Sequence, residues 1–345
     1  MEIVSISKIE DYKRYISGYI PDNVYVVIDE NLTDYHNYFD SYNCFKLRAI
    51  ESNKTLQTVE KIYDWLLTNG AQRSSLLIGV GGGITTDITG YVAATYLRGI
   101  SCILIPTTLL AMCDAAIGGK NGVNLNRYKN LVGTIREPHK ILINTLFLKT
   151  LPTPEFKEGI AEMLKNFLIA DEKLYNEAVD FFATLNSENI ANSQSDLQFF
   201  IEKCQEIKLK IVEEDLLENG KRRVLNFGHT FAHAIEYMAA QSTVNKTILH
   251  GFAVAVGMIE AIRLSAKRGL CTNEFAQKIC DDFKRIGLPT SLKDLGLKAN
   301  KELIYNAIAK DKKIEGEKIH FIFIQKAGEA IEIAVTLNEI IDISN

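Results

Sequence analysis

The sequence predicts an α/β N-terminal half built on a parallel-type sheet and a mainly α-helical C-terminal half. Three observations carry that reading. Short β-rich runs alternate with helical stretches from Val24 to Ile143, the signature of βαβ units. After Leu151-Pro152-Thr153-Pro154 the texture changes to long helical periodicities, with almost no strand-like alternation until Ile319. The chain has 345 residues, more than one hydrophobic core comfortably serves. We therefore expect two domains, 1–151 and 152–345.

In order, Val24–Ile28 and Phe45–Ile50 read as strands, and Thr55–Asn69 as an amphipathic helix. Leu76–Val80 is continuous and apolar, as a strand covered on both faces should be. It feeds Gly81-Gly82-Gly83 and a helical stretch from Ile84 to Leu97, followed by strands at Ser101–Ile105 and Lys140–Asn144. Between these last two, the polar, Gly-rich segment around Asp114–Lys129 has little helix or strand periodicity and reads as loop. In the second half, Phe156, Ile160, Met163, Leu164, Phe167 and Leu168 fall on one face of a helix, with Glu158, Glu162 and Lys165 expected on its polar face. Lys318–Ile324 and Glu329–Val335 flank Gly328 and suggest a small hairpin packed on helices.

The charge balance, 39 basic against 43 acidic side chains, shows no broad cationic surface for nucleic acid or anionic membrane. A small-molecule partner fits better. Six cysteines without a CxxC pair, mostly within apolar runs, read as reduced thiols. The N-terminus lacks the pattern of a signal peptide, and no segment is apolar for long enough to span a bilayer. A cytoplasmic protein is expected.

Several residues could carry chemistry. A strand leading through Gly81-Gly82-Gly83 into a helix brings backbone N–H groups toward a pyrophosphate, although a tight turn without a ligand explains three glycines about as well. Asp29, with Asn31 two residues on, sits where such folds receive a ribose hydroxyl, or simply caps a loop. Asp114 through Lys120, then Lys129-Asn130, follow a strand and so fall at the carboxyl edge of the sheet. His229, His233 and His250 cluster within 22 residues, and His229 and His233 have the i, i+4 spacing that can hold one metal ion. Glu162 could add a carboxylate, against the plainer alternative of a solvated Glu162/Lys165 pair. Lys208, Arg222, Lys312 and Lys313 read singly as surface residues; together they suit a phosphate and a carboxylate.

These signals fall into the order of one family. Gly81-Gly-Gly-Ile-Thr-Thr-Asp87, Tyr96-Leu-Arg98-Gly99, Pro106-Thr-Thr-Leu-Leu110, Asp114–Asn124, Lys129-Asn130, Ala161-Glu162-Met-Leu-Lys165, Leu225–His233, Leu249-His250-Gly251 and Asp311-Lys312-Lys313 make the chain resemble 3-dehydroquinate synthase. The resemblance runs through both halves. It implies an α/β nucleotide-binding domain with a parallel-type sheet plus a mainly helical metal-binding domain. It also implies catalytic NAD and a divalent ion, Zn²⁺ with Co²⁺ as an alternative. The reaction implied takes 3-deoxy-D-arabino-heptulosonate 7-phosphate to 3-dehydroquinate and phosphate, a shikimate-pathway step toward chorismate and the aromatic amino acids.

By resemblance, Glu162, His229 and His250 are the metal ligands, and His233 becomes a substrate or phosphate contact, correcting the role its spacing suggests. Asp29, Asn31, Glu51, Lys54, Gly81, Gly82, Gly83, Asp87, Thr107 and Thr108 are assigned to NAD, with Thr150, Leu151 and Glu155 completing that site. Arg98, Asp114, Lys120, Lys129, Asn130, Lys165, Lys208, Arg222, Asn226 and Lys312 or Lys313 would line the substrate pocket, with Glu218 ordering it. Asp114, Lys120 and Lys129 are counted with the NAD contacts as well. A homodimer is allowed for. Thr86, Asn121 and Phe252 depart from the family pattern of glycine, threonine and glutamate at those places. Thr86 could offer its hydroxyl to the pyrophosphate, and Phe252 removes a carboxylate beside a metal ligand. The alternatives are a cyclase making 2-deoxy-scyllo-inosose or 2-epi-5-epi-valiolone, a glycerol dehydrogenase-like oxidoreductase, and an inactive nucleotide-binding relative.

Overall fold

The computed structural model describes residues 1–126, 128–185, 190, 192–241, 248–298, 301–309, 314–315 and 318–341. Its contacts divide the chain into two units, Met1–Leu151 with Gln194–Ile201, and Pro152–Ser193 with Glu202–Asn345.

The first unit contains β1 (Glu2–Ser5), α1 (Lys13–Ile16), β2 (Val24–Asp29), β3 (Asn43–Leu47), α2 (Leu56–Thr68), β4 (Leu76–Gly81), α3 (Gly83–Thr95), β5 (Ser101–Pro106), β6 (Lys120–Leu125), β7 (Tyr128–Ile135) and β8 (Lys140–Ile143). Six of these strands form one sheet in the order β1-β8-β5-β4-β2-β3, and every pairing in it is parallel. The apolar runs dictate its position: Val24–Ile28 and Leu76–Val80 are buried along their whole length. α2 is set by its sequence, with Thr55 accepting from the Thr58 N–H as N-cap and Val59, Ile62 and Leu66 buried at helical spacing. From β2 the chain runs outward to β3, then crosses back to β4 and on to β5. The carboxyl ends of β2 and β4 are therefore a topological switch point, where open α/β sheets bind ligands.

The segment expected to be loop around Asp114–Lys129 is in part an antiparallel hairpin of β6 and β7. Its strand signal is hidden because β7 is largely exposed and Val123 is its main apolar anchor. A polar residue keys it to the core. Asn121 Nδ2 donates to the Gly119 and Arg136 carbonyls at 2.8 and 2.9 Å, and its Oδ1 lies 1.8 Å from where a Cβ on Gly90 would be. Asn121, one of the family departures, is thus a packing residue matched to a glycine on α3.

The second unit holds α4 (Thr153–Ala170), α5 (Glu172–Thr184), α6 (Gln194–Glu214, its first turns belonging to the first unit), α7 (His229–Gln241), α8 (His250–Lys267), α9 (Asn273–Ile286), α10 (Lys301–Ala309), β9 (Ile314–Glu315), β10 (Lys318–Lys326), β11 (Glu329–Thr336) and α11 (Leu337–Ile341). The hairpin of β10 and β11 packs on helices as expected: the Ile324 N–H donates to Ser265 Oγ at 3.1 Å and the Gly328 N–H to the Leu168 carbonyl at 2.8 Å. α4 corrects its reading. Gly159 through Ile169 are all buried, so Glu162 and Lys165 lie inside the unit and the solvated pair is overturned. No helix among the described residues is long and apolar enough to cross a membrane.

Candidate active site

In the first unit the switch point gathers several of the expected residues. β4 ends at Gly81, and α3 begins two residues later with Gly82 as an N-cap that offers no side chain. The first N–H groups of α3 are left for an anion, at the positive end of a helix dipole. A Cβ on Gly81 would lie 2.5 Å from Thr85 Oγ1 and 2.6 Å from Thr85 Cβ, so this glycine is demanded by helix-on-strand packing whether or not a ligand is bound. Thr107 hydrogen-bonds through its N–H to the Gly81 carbonyl at 3.0 Å, which places Thr107 and Thr108 beside the glycines. Thr86 does not face a phosphate. It is buried, and its hydroxyl donates to the Gly83 carbonyl at 3.1 Å, which corrects the pyrophosphate contact suggested for it.

At the end of β2, Asp29 Oδ1 accepts from the N–H and Nδ2 of Asn31 at 3.0 and 3.1 Å. This is loop-capping geometry. Burial raises the Asp29 pKa, and the two hydrogen bonds from Asn31 oppose that. A second cluster is stitched by charge: the buried Lys54 ammonium pairs with Asp87 on α3 and donates to Asn130 Oδ1 at 2.5 Å. Asn124 ties it together. Its Oδ1 accepts from the Asn130 N–H at 2.9 Å and its Nδ2 donates to Glu51 Oε1 at 2.8 Å, while its own N–H donates to the Lys54 carbonyl at 2.7 Å. Sequence reasoning passed over Asn124, whose only signal was its place at the end of the matched segment.

Lys120 and Lys129 are exposed, and Asp114 is half-buried in the turn of π-helix at Ala111–Ala115. Arg98 is exposed with φ +65°, directly after Leu97 at φ +49°. Two successive non-glycine residues in the left-handed region cost on the order of 1 kcal/mol each, a strain that is commonly retained at functional positions. Thr150 Oγ1 lies 3.2 Å from the Tyr35 hydroxyl, and Tyr35 had no sequence signal. Leu151, half-buried, closes the unit. Glu155, on α4 of the second unit, keeps Oε2 buried with no hydrogen-bond donor among the described residues.

The second unit brings the three expected metal ligands into one cluster. One ligand atom from each of Glu162, His229 and His250 lies within 4.8 Å of the others. His229 Nε2 and His250 Nε2 stand 3.6 and 3.4 Å from the same oxygen, Glu162 Oε1. The far sides of the rings decide what the near sides are. His229 Nδ1 is 3.2 Å from the Phe227 carbonyl, and His250 Nδ1 is 3.2 Å from Glu236 Oε1. Both partners only accept, so each ring carries a proton on Nδ1 and, in its neutral form, turns an Nε2 lone pair inward. With both rings neutral, three lone-pair donors converge, the arrangement a cation satisfies; without a metal, a proton on His250 takes that role. Ligands about 2.1 Å from a tetrahedral metal are about 3.4 Å apart, as these are. The chemistry and geometry of the set fit a zinc-like ion.

The electrostatics show how strongly this place draws positive charge. Burial works to raise the Glu162 pKa, but the Lys165 ammonium and the two imidazoles hold it well below the usual range. Lys165 Nζ is 2.6 Å from Glu162 Oε2, both side chains inside the protein. Burial pulls His250 down, and the Glu236 and Glu162 carboxylates on either side outweigh it, raising it to about 10. Burial also lifts Glu158, one turn before Glu162, to about 7, with the Gly251 N–H and His250 pulling the other way. Neither Glu236 nor Glu158 was among the expected site residues, because carboxylates at helical spacing look like a solvated face.

Backbone contacts set the spacing. A Cβ on Gly251, beside His250, would lie 2.2 Å from the Glu158 carbonyl oxygen. One on Gly257 would lie 2.2 Å from the carbonyl of Gly228, beside His229. α8 thus meets α4 and the residue before α7 through backbone.

In the same unit, Arg222 and Lys208 are buried, against the surface reading of each. Arg222 Nη1 donates to the Leu216 carbonyl at 2.7 Å, and Asp215 Oδ2 accepts from the Arg222 N–H at 3.0 Å. Asn226 Nδ2 donates to Glu218 Oε1, and Glu218 has φ +61°. His233 is exposed, its ring centroid 5.8 Å from that of His229, and it is not part of the three-ligand set. Lys312 and Lys313 lie outside the described residues.

Comparison with known proteins places the whole arrangement. The family descriptions "3-dehydroquinate synthase N-terminal" and "3-dehydroquinate synthase C-terminal" match residues 44–158 and 159–314. The 3-dehydroquinate synthase of Acetivibrio thermocellus is 40% identical over 86% of this chain and 79% of its own length. That of Campylobacter concisus is 42% identical over 81% and 76%. Among solved structures, the 2-epi-5-epi-valiolone synthase ValA of Streptomyces hygroscopicus, with NAD⁺ and Zn²⁺ bound, superposes with a TM-score of 0.86 at 26% identity. The match covers 99% of this chain and 95% of that one. A 2-deoxy-scyllo-inosose synthase with carbaglucose-6-phosphate, NAD⁺ and Co²⁺ gives 0.83 at 28% identity, with the same coverage. A probable glycerol dehydrogenase of Sinorhizobium meliloti, 15% identical with a TM-score of 0.65, shares the fold alone. With both family regions matched in order and relatives at this identity along most of its length, the chain belongs to the 3-dehydroquinate synthase family.

Proposed function

We propose that the protein is a phosphate-eliminating carbon–oxygen lyase that converts 3-deoxy-D-arabino-heptulosonate 7-phosphate to 3-dehydroquinate and phosphate, with NAD and a divalent metal. The observation that carries this is the convergence of Glu162, His229 and His250 lone pairs on one point in a chain of this family. In this reading residues 1–151 carry the NAD site and 152–345 the metal and most of the anion-binding residues. When bound, the metal supplies Lewis acidity toward a substrate hydroxyl and NAD supplies reversible hydride acceptance, so that no net oxidation results.

The chain's own residues do the rest. The α3 N-terminus receives the pyrophosphate and Asp29 a ribose hydroxyl. Lys54, held by Asp87 and Asn130, presents a fixed cation there. Glu51, Asn31, Thr107, Thr108, Thr150, Leu151 and Glu155 complete the cofactor contacts. Arg222, already ordered by Asp215 and Leu216, suits the planar substrate carboxylate; Lys165, Lys208 and His233 suit the phosphate, with Lys312 or Lys313 beside them. Arg98, Asp114, Lys120, Lys129, Asn130 and Asn226 orient the sugar acid, with Glu218 holding Asn226. The burial of Glu162 and Lys165 keeps water from the reacting end.

Three further readings belong to the same proposal. The protein acts in the cytoplasm, in the shikimate pathway toward chorismate and aromatic amino acids. It works as a homodimer, a reading supported by the exposed Leu125, Tyr128, Leu131 and Ile135 on β6 and β7. Its ion is zinc, with cobalt as substitute. Phe252 in the first turn of α8 is the one observation favouring another sugar phosphate cyclase, and the assay separates the two. Phosphate release from 3-deoxy-D-arabino-heptulosonate 7-phosphate with NAD and zinc, halted by chelation and without accumulating NADH, supports the proposal. No release by folded, metal-loaded protein overturns it.

A further inference from the structure

We propose that Glu236 is the positioning residue of the metal centre: its carboxylate orients His250, and its loss loosens the ion without touching the cofactor cradle. The inference rests on the reading of Glu162, His229 and His250 as metal ligands and goes beyond it to a residue that the ligand set does not contain. His229 and Glu236 are seven residues apart on α7, two turns along one face. One helix therefore supplies both a ligand and the support of the other histidine. The Glu236 side chain is only 10% exposed, and its Oε1 lies 3.2 Å from His250 Nδ1.

The two histidines are supported differently. His229 leans on the Phe227 carbonyl, a backbone group that no substitution removes. His250 stands at the first residue of α8, where no earlier turn of that helix confines it, and it leans on a side chain. The residue two positions on is Phe252, which has no acceptor to offer. A carboxylate accepting the Nδ1 proton fixes the tautomer, restrains the ring and strengthens Nε2 as a donor, and removing such a partner typically costs about 10- to 100-fold in metal affinity.

The test measures zinc dissociation constants on the full-length protein by competition with a chromogenic chelator, and the visible spectrum of the Co²⁺-substituted protein as a readout of ligand geometry. E236Q keeps the shape and an acceptor oxygen but loses the charge, and should weaken zinc about 10-fold; E236L should weaken it about 100-fold. Both should shift the Co²⁺ bands and leave NAD affinity unchanged. E260Q, which removes an acid of α8 paired with Arg263 on the outer side, should bind zinc as the parent does. If the parent holds no zinc, the metal reading falls and the inference with it. If the parent binds one ion per chain and E236Q binds as tightly with an unshifted spectrum, Glu236 has no positioning role and the inference alone is overturned, even if E236L unfolds at lower temperature.

Discussion

The proposed cofactor cradle of the first unit and the proposed metal cluster of the second are built from opposite materials. The cradle is largely backbone: a strand end, a glycine turn and the open N–H groups of α3, with side chains such as Lys54, Asp87 and Asn124 bracing the rim. The metal cluster draws all three of its ligands from side chains, held by a backbone carbonyl, a carboxylate and a buried ammonium. A site made of backbone comes with the fold and is damaged mainly by added bulk. One made of side chains converging on a buried carboxylate is damaged by removing any one of them, because the charges there were balanced against each other.

That contrast can be broken most sharply at Glu162. Glu162→Gln removes a ligand and breaks the buried ion pair with Lys165. It should abolish stoichiometric metal by elemental analysis, halt phosphate release, and lower stability by roughly 3–5 kcal/mol in denaturant unfolding. Gly81→Ala tests the other material. Its Cβ would press on Thr85, an overpacking worth about 1–3 kcal/mol, and NAD titration should show weaker binding while zinc content stays at one per chain. Asn124→Ala removes the side-chain hydrogen bonds to Glu51 and Asn130, about 1 kcal/mol each, and should raise the NAD dissociation constant about 10-fold with little change in kcat at saturating cofactor. Equal loss of zinc in either cradle variant would erase the distinction between the regions.

The smallest effect is in pH. Metal-free His250 has its folded pKa raised to about 10, so its protonated form is favoured by folding. The stability it contributes is fully present below the ordinary histidine pKa of about 6.5 and is lost as pH rises through about 10. Chelated protein should therefore show Tm drifting down by on the order of a few degrees between those limits. Metal-loaded protein, with the imidazole held neutral, should lack that drift.

Much of this was legible in the sequence, for reasons tied to particular residues. The sheet announced itself because Val24–Ile28 and Leu76–Val80 are buried on both faces and so read as unbroken apolar runs. The helical half showed through periodicity. What stayed hidden was polar and internal. The pattern of α4 suggested an exposed face for Glu162 and Lys165, since amphipathicity cannot tell a solvated charge from one that is paired and enclosed. The hairpin of β6 and β7 had no alternation to show, because its anchor is Asn121 fitted against Gly90. Glu236 and Asn124 act through other residues, and no local pattern marks such a role. The resemblance supplied the ligand trio, and it moved His233 out of a metal role that spacing alone would have given it.

The backbone contacts at Gly251 and Gly257 have a consequence for how the enzyme can vary. They act as spacers: the interval between the helices bearing the three ligands is measured out by main chain meeting main chain, which no neighbouring side chain can lengthen or shorten. The residues around the ligands are thereby released from holding the distance. Divergence in this centre should be written in the residues that surround the ligands, while the two glycines stay as immovable as the ligands themselves.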